Sequence, residues 1–325
     1  MTISRRGTLA GLAAAPFVQR AAQAQGAAFP SRPLTLIVPF PAGGPADIFG
    51  RYLAQGMTAN LKQQVVVENK SGAAGVTGMD VVAKASDAHT MGIYSASAGA
   101  IMQSLMDKMP YRPGIDLAPV ILAVRIQEVL VVNAKFGVST FAELITKLKA
   151  NPGKFSYGSA GTGGITHLAT ELFKIETGTD VLHVPYRGAA PATNDLISDT
   201  VQMALLDIPV LLPHIRSGAV KALAISSDTR APLLPDVPTL RELGFPKVNS
   251  DNWYGLGAPG SSLLRDRERL HEAAATALKS KELIDAYAAV GGIVGGGSTE
   301  EFARFQRLEV QKWAAVIKAA NVKLE

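Results

Sequence analysis

Short apolar runs alternate with stretches of helical periodicity along the first hundred residues. The run Leu34 to Val38 is apolar on both faces, which is typical of a strand covered by helices on both sides of a parallel sheet. A turn rich in Pro and Gly follows at residues 40–45, and Asp47 leads into a stretch that predicts a helix. Its apolar residues recur at helical spacing: Phe49, Leu53, Met57 and Leu61.

The same unit of strand, glycine loop and helix recurs twice. Residues 65–67 predict a strand, 71–75 a glycine loop and the following Ala/Val segment a helix. Residues 91–94 predict the next strand, and 95–106 the next helix. Alternating short strands and helices predict an α/β fold with a parallel sheet.

A second series begins near residues 129–132, which read as a strand. Thr140 and Glu143 form a capping-box pattern that predicts a helix start. Residues 155–158 then predict a strand, 159–164 a glycine loop, and 165–177 a helix. We expect one face of this helix to be apolar through Leu168, Leu172 and Ile175.

The remaining third contains two further predicted strands, at 201–206 and 222–225. Residues 236–252 show little periodicity, so we expect the chain to cross between two lobes there. A second capping box at Ser298 and Glu301 predicts the start of the last helix. Its predicted apolar face contains Phe302, Phe305, Leu308, Trp313 and Ile317.

The N-terminus has the pattern of a cleavable secretory signal. Residues 1–24 hold three arginines and no acidic residue, then a weakly apolar stretch, then Ala22-Gln23-Ala24. The pair Arg5-Arg6 resembles a twin-arginine export signal, and a Sec signal is the alternative. The apolar stretch is too short to span a bilayer. We therefore expect a periplasmic protein whose signal is removed near Ala24.

Charge and composition exclude several classes of function. Removing the three arginines of the signal from the net charge of +5 leaves +2, and no Lys/Arg cluster with aromatic residues is present, so we expect no nucleic-acid partner. The chain contains no cysteine, which excludes disulfides and thiolate ligands. The length favours two lobes over one.

The common catalytic motifs are missing. Gly161, Gly163 and Thr166 nearly match a dinucleotide fingerprint, but the third glycine is absent. The sequence has no G-x-S-x-G elbow and no Walker loop, and its five histidines lack metal-site spacing. We therefore expect a non-enzymatic protein with no cofactor and no metal.

Two of the glycine loops stand between a strand and a helix in corresponding places of the two series. The first contains Ala42, Gly43 and Gly44, and the second contains Gly161, Gly163 and Gly164. Backbone N–H groups at a helix start bind an anion without any lysine or arginine. We expect the two loops to hold a carboxylate between them; the alternative is that both are simply tight turns.

Single polar residues near these loops are candidates with two possible roles. Asp47 orients a ligand or caps a helix, and Asp207 accepts a ligand hydrogen or caps the helix that follows. Thr166 and His167 lie in the first turn of a predicted helix, where they donate to an anion or pack against the backbone. Phe40 is expected as an apolar wall of the cleft, with core packing as the alternative.

Five stretches, in order and spacing, resemble the Bug-type periplasmic receptors of tripartite tricarboxylate transporters. They cover nearly the whole chain from Pro30 to the last helix. The matching stretches are residues 39–47 (Pro-Phe-Pro-Ala-Gly-Gly-Pro-Ala-Asp), 66–75, 157–161 with 167–169, 183–188 (His-Val-Pro-Tyr-Arg-Gly) and 235–239.

The resemblance implies a two-lobe periplasmic-binding-protein fold (type II-like), in which each lobe is a mainly parallel sheet flanked by helices. Lobe one is expected to comprise 30–128 plus 252–325, and lobe two 129–251. A monomer is implied that closes on a di- or tricarboxylate, an acidic amino acid or an aromatic acid and delivers it to a membrane permease. Ser95 and Ser159 are implied in the cleft beside the loops.

The chain departs from the family pattern at two places. Ser86 to Thr90 replaces a common Pro-Asp-Gly-Tyr-Thr, and Leu206 replaces an aromatic residue before Asp207. The second change touches the cleft and therefore bears on the choice of ligand. Two alternatives stay open: a ligand sensor that reports to a membrane signalling protein, and an α/β enzyme with an unmarked site.

Overall fold

Ten strands and nine α-helices alternate along residues 29–324, the part of the chain that the structure, a computed structural model, describes. The predicted signal peptide, residues 1–24, lies outside this range. The strands are β1 (Leu34–Val38), β2 (Val65–Asn69), β3 (Thr90–Ser95), β4 (Leu117–Asn133), β5 (Ser156–Ser159), β6 (Leu182–Pro185), β7 (Met203–Asp207), β8 (Val220–Ile225), β9 (Asp251–Pro259) and β10 (Gly292–Gly296). The helices are α1 (Pro45–Leu61), α2 (Val76–Ala83), α3 (Phe141–Ala150), α4 (Ile165–Thr177), α5 (Ala189–Ile197), α6 (Ile208–Arg216), α7 (Leu264–Leu278), α8 (Lys281–Ala289) and α9 (Thr299–Ala320).

Lobe one is built on β2, β1, β3, β9 and the first part of β4, in that order. The pairs β1–β2 and β1–β3 are parallel, whereas β9 runs antiparallel to both β3 and β4, and β10 adds an antiparallel strand to β4. Helices α1 and α7 pack on this sheet. The four apolar residues predicted on α1, Phe49 to Leu61, are all buried there.

Lobe two is built on β6, β5, β7 and the last part of β4. Strand β5 is parallel to β6 and to β7, while β7 and β8 both pair antiparallel with β4. Its core includes Leu130, Tyr157, Leu168 and Leu205, each fully buried. Both lobes therefore carry a parallel three-strand portion whose strands end next to helix starts, which is where open α/β sheets bind ligands.

Strand β4 passes through both lobes without interruption. It pairs with β9 up to Gln127 and with β7 from Glu128 onward. The sequence predicted only its final portion, residues 129–132, as a strand. The predicted lobe boundaries at 128/129 and 251/252 stay a prediction about which parts of the chain move together.

The α/β periplasmic-binding-protein fold predicted from the sequence is confirmed, although each sheet is mixed rather than purely parallel. Both capping boxes are present: Thr140 caps α3 with Glu143, and Ser298 caps α9 with Glu301. The helix predicted at 165–177 has those bounds in the structure. No helix in residues 29–324 is both long and apolar enough to cross a bilayer.

Three details of the predicted helices are wrong. The segment 95–106 forms a π-helical turn (Ser97–Ile101) and a 3₁₀ turn (Met102–Ser104) instead of one α-helix. Ile175 is 42% exposed because it lies near the end of α4. Leu308 is 59% exposed because it lies about one and two-thirds turns after Phe302, which places it off the buried face of α9.

Candidate ligand-binding site

A cavity of about 770 Å³ lies between the two lobes. This volume is within the usual range for small-molecule sites, which are clefts of roughly 300–1,000 Å³. Its walls are formed by residues 39–46, 48, 71–75, 95 and 97 of lobe one, residues 160–162, 164–166 and 186–191 of lobe two, and Asp207, Pro209, Val210, Asn252 and Tyr254.

The first glycine loop connects β1 to α1 and turns sharply at Gly43. Gly43 has φ +80°, a left-handed conformation that favours glycine, and Gly44 is extended with φ −79° and ψ 170°. The Gly43 N–H donates to Asp47 Oδ2 (2.9 Å), and the Gly44 N–H donates to the Pro41 carbonyl (3.4 Å). These bonds fix the loop on the first turn of α1.

The second glycine loop connects β5 to α4 and has nearly the same geometry. Gly163 has φ +72°, and Gly164 has φ −79° and ψ 168°. The Gly163 N–H donates to His167 Nδ1 (3.1 Å), and the Gly164 N–H donates to the Gly161 carbonyl (3.2 Å). The second loop is therefore also fixed by the third residue of its own helix.

The two loops are equivalent residue by residue. Each position from 41 to 47 corresponds to the position numbered 120 higher, so that Gly43 matches Gly163 and Asp47 matches His167. The angles at Gly43 and Gly163 and at Gly44 and Gly164 correspond, as do the carbonyl and side-chain acceptors, whereas Gly161 has φ +139°, which Pro41 cannot adopt. Each lobe thus presents one copy of the same strand-turn-helix module to the cavity.

Three residues of the cavity wall have a backbone N–H group without an acceptor among the described residues. The N–H groups of Ala46, Thr162 and Thr166 have no hydrogen-bond acceptor within residues 29–324, and all three residues line the cavity. The starts of α1 and α4 carry the partial positive charge of a helix N-terminus. Such an arrangement suits a negatively charged group held from two sides.

Nine of the thirteen residues predicted for the site line the cavity, and four lie just behind its wall. The nine are Phe40, Ala42, Gly43, Gly44, Ser95, Gly161, Gly164, Thr166 and Asp207. The four are Asp47, Ser159, Gly163 and His167.

The residues behind the wall hold the loops in place. Asp47 is buried and accepts hydrogen bonds from Gly43, Arg51 and Asn69. Burial alone would raise the pKa of Asp47, but the hydrogen bonds from these three groups lower it below its usual value. Gly163 packs against lobe one, because a Cβ there would lie 2.8 Å from Leu105 Cδ1.

Acidic and amide side chains form the base of the cavity, where β4 and β9 join the lobes. Asn252 Nδ2 donates to both carboxylate oxygens of Asp207 (3.2 and 3.0 Å) and to the Tyr254 hydroxyl (3.2 Å). Burial raises the pKa of Asp207 to about 7, although the Asn252 hydrogen bond lowers it in part. Within residues 29–324, no three metal-ligating side chains are grouped together.

Sequence reasoning missed a third loop, which connects β6 to α5. Tyr186, Arg187 and Gly188 of this loop line the cavity, and Arg187 forms no ion pair with a described residue. The signal was present, because a strand, a glycine and a helix follow one another there as in the other two loops. Arg187 therefore places one cationic side chain at the rim of the cavity.

The fold and this cavity define a two-lobed solute-binding receptor. A model of the tripartite tricarboxylate transporter family receptor matches residues 49–322. The chain belongs to this family, which consists of periplasmic solute-binding proteins.

Individual relatives agree with this assignment. The protein BugT of Bordetella pertussis is 38% identical over 299 residues, covering 91% of this chain and 92% of the relative. A structure from R. palustris solved with adipate is 31% identical, with a TM-score of 0.86, and covers 91% of this chain and 99% of that one. MatC from Rhodopseudomonas palustris, solved with bound malate, is 29% identical, with a TM-score of 0.82. The match covers 89% of this chain and 100% of that one.

Proposed function

We propose that this receptor captures a small carboxylate, most specifically a dicarboxylate, between its two glycine loops and delivers it to a membrane permease of the tripartite tricarboxylate type. The observation that carries the proposal is the pair of equivalent modules at 41–47 and 161–167, which face one cavity from opposite lobes. Each module binds one carboxylate of a diacid through its backbone amides.

The cavity has room for a diacid together with bridging waters, which extend the reach of the amides at little cost in affinity. Arg187 adds one cation at the rim. Adipate and malate, each bound to a similar structure, are the first probes to try. No bond is made or broken, and ligand binding selects the closed arrangement of the lobes.

The proposal also covers the export of the protein and its oligomeric state. The chain is exported, loses its signal peptide near Ala24, and acts as a monomer in the periplasm. The acid-free N-terminus with its A-x-A site supports export.

A thermal-shift screen of the purified mature chain tests the proposal. The panel contains malate, adipate, succinate, citrate, glutamate and nicotinate, with the dimethyl esters of the diacids as uncharged controls. A ligand at about 100 times its Kd stabilises the folded state by roughly 2.7 kcal/mol. A rise of the Tm with a diacid and none with its ester supports the proposal. No rise with any of the acids contradicts it. Loss of uptake in a deletion strain then separates transport from sensing.

A further inference from the structure

Two histidines lie in a stack directly behind the second glycine loop. The ring of His167, on α4, and the ring of His183, on β6, are nearly parallel at 7°, with centroids 3.8 Å apart. Tyr157, on β5, continues the stack at 5.0 Å from His183. The three side chains form a flat, packed support under the loop.

Both rings are tied to the loop by hydrogen bonds. His167 Nδ1 accepts the Gly163 N–H, as described above. His183 Nε2 lies 2.7 Å from Ser159 Oγ, and the same oxygen accepts the Gly161 N–H (3.2 Å). The two imidazoles thus hold two amides of the loop. His167 accepts the Gly163 amide directly, and His183 holds the Gly161 amide through the Ser159 hydroxyl.

The hydrogen bonds fix a different neutral tautomer for each ring. A backbone N–H is only a donor, so His167 Nδ1 must be unprotonated and its proton must sit on Nε2. Ser159 is fully buried, and its hydroxyl hydrogen has no acceptor among the described residues other than His183 Nε2. His183 therefore carries its proton on Nδ1.

The surroundings oppose a charge on either ring. Burial and then the nearby Lys174 lower the pKa of His167 to about 4. Burial and then His167 lower the pKa of His183 to about 4, against the opposing effect of Glu171. Glu171 itself is held by the Tyr157 hydroxyl (2.7 Å) and by Lys174 (2.8 Å).

We propose that His167 and His183 are positioning residues, which as stacked, neutral rings of opposite tautomer hold the loop 159–164 in the shape that receives the ligand. The inference rests on the proposed function only for its effect on affinity. Protonation of His167 at Nδ1 would replace an acceptor by a donor and break the bond to Gly163. The second loop therefore loses its shape as pH falls through the pKa of His167, whereas Asp47, whose pKa is lowered, holds the first loop to lower pH.

The equivalent module of lobe one shows why an imidazole is used here. Asp47 holds Gly43 as a carboxylate, and its charge is matched by Arg51, which lies 2.9 Å away. The position that corresponds to Arg51 in α4 is Glu171. A carboxylate at 167 would meet a like charge there, so the acceptor in lobe two is a neutral one.

Nuclear magnetic resonance of the mature chain without ligand tests the hydrogen-bond assignment. At pH 7 we expect imidazole ¹⁵N shifts for an Nε2–H tautomer at His167 and an Nδ1–H tautomer at His183. Both rings should titrate below about pH 5, and the Gly163 amide should shift with the same midpoint as His167. The opposite tautomers, or titration of His167 near pH 6.5 with an unmoved Gly163 amide, would overturn the proposal.

Two variants separate positioning from folding. His167→Asn keeps an acceptor near the Nδ1 position but does not titrate, whereas His167→Ala removes the acceptor; His214→Asn, on α6, is the control for substitution. We expect hydrogen exchange of the Gly163 amide to be roughly tenfold faster in His167→Ala and nearly unchanged in His167→Asn. Equal exchange in the two variants would contradict the proposal.

Affinity for malate or adipate, measured from pH 7 to pH 4, gives the functional readout. The diacid's own protonation affects all variants alike, so the difference between wild type and His167→Asn isolates the histidine. Wild type should lose more affinity in acid than His167→Asn, and identical pH profiles would overturn the proposed link to binding. If neither diacid binds at any pH, the proposed function fails, while the tautomer and exchange results still decide the role of the stack.

Discussion

Glu128 and Asp207 stand directly opposite each other on the neighbouring antiparallel strands β4 and β7, and both side chains are buried. Glu128 Oε2 accepts from the Ser250 hydroxyl (2.7 Å), while Glu128 Oε1 has no hydrogen-bond partner among the described residues. Burial, and then the charge of Asp207, raises the pKa of Glu128 well above its usual value. Burial and mutual repulsion therefore favour at least one neutral carboxyl in this pair.

The first prediction concerns the pH dependence of this pair. Because the pKa of Asp207 is raised to about 7, the folded state binds more protons than the unfolded state between about pH 4 and pH 7. Stability should fall as pH rises through that window, by at most about 4 kcal/mol from Asp207. Asp207→Asn should flatten this part of the curve, as measured by urea unfolding from pH 5 to pH 8.

Affinity for a diacid should also fall as pH rises, because ionised Asp207 repels an anion in the cavity. Calorimetric titration of wild type with malate from pH 6 to pH 8 measures this effect, and Asp207→Asn should abolish it. Asp199→Asn, at an exposed site of lobe two, is the matched control. An unchanged pH profile in Asp207→Asn would show that other groups control binding.

The second prediction concerns the turn of the first glycine loop. Gly43→Ala places a Cβ in open space but at φ +80°, which costs roughly 1–2 kcal/mol and tilts the loop amides. We expect affinity for a diacid to fall at least about tenfold, as measured by titration calorimetry.

Gly218→Ala provides a closely matched control for that change. Gly218 has φ +76°, its Cβ would also meet nothing within 4 Å, and it does not line the cavity. Its stability loss should equal that of Gly43→Ala, while its affinity should stay within about twofold of wild type. Equal loss of affinity in both variants would mean that the loops act only through stability.

The third prediction concerns Arg187 at the rim of the cavity. Arg187→Met removes an exposed cation, so the affinity for a dianion should fall by up to about tenfold at low salt and by less at high salt, where the charge is screened. Arg216→Met, on the exposed end of α6, is the control. Titrations at two ionic strengths measure both; a drop of the same size in the control would reveal a nonspecific effect of charge.

The fourth prediction concerns the anchor of the last helix. Glu309 is buried, and its Oε2 accepts both indole N–H groups, from Trp253 (3.1 Å) and Trp313 (2.9 Å). Glu309→Ala leaves two buried donors without an acceptor, so unfolding free energy should drop by about 3 kcal/mol.

Calorimetric Tm values check this cost. Glu309→Gln keeps one acceptor and should fall between wild type and Glu309→Ala. Arg307→Ala, exposed on the same helix, should change the Tm by little. If Arg307→Ala and Glu309→Ala lower the Tm equally, the indole bonds contribute nothing measurable.

Local patterns predicted the local parts of this molecule. Capping boxes at Thr140 and Ser298 mark true helix starts because the bonds that define them span only three residues. The two glycine loops were recognised for the same reason, since strand, turn and helix follow one another directly. The expectation that both loops face one cavity came from the rule that open α/β sheets bind ligands at the carboxyl ends of their strands, and not from any single residue.

Long-range pairing was harder to predict from sequence. Strand β4 is buried on both faces along most of its length, so no alternation marks its start at Leu117. Its extent is set by partners as distant as β9, β7 and β10. The antiparallel direction of β9 likewise depends on its distant partners β3 and β4.

The roles of side chains in the site were likewise hard to predict where they depend on contacts between distant residues. Asp47 and His167 were predicted as possible ligand contacts, but they hold Gly43 and Gly163 from behind, and their direction depends on the folded loop rather than on the sequence pattern. Arg187 was not predicted as a site residue, although residues 183–188 matched the family pattern and the loop has the same order of strand, glycine and helix as the other two. Glu128 was missed because its significance depends on Asp207, which is distant in sequence and adjacent across two strands.

The uninterrupted course of β4 has a consequence for engineering. A cut at the lobe border, between Gln127 and Glu128, divides this strand, and the first fragment keeps β4 residues whose partners β9 and β10 lie in the second fragment. The sheet of lobe one is then divided between the two fragments, so sensors made from this scaffold call for reporter insertions in surface loops rather than a cut at the border.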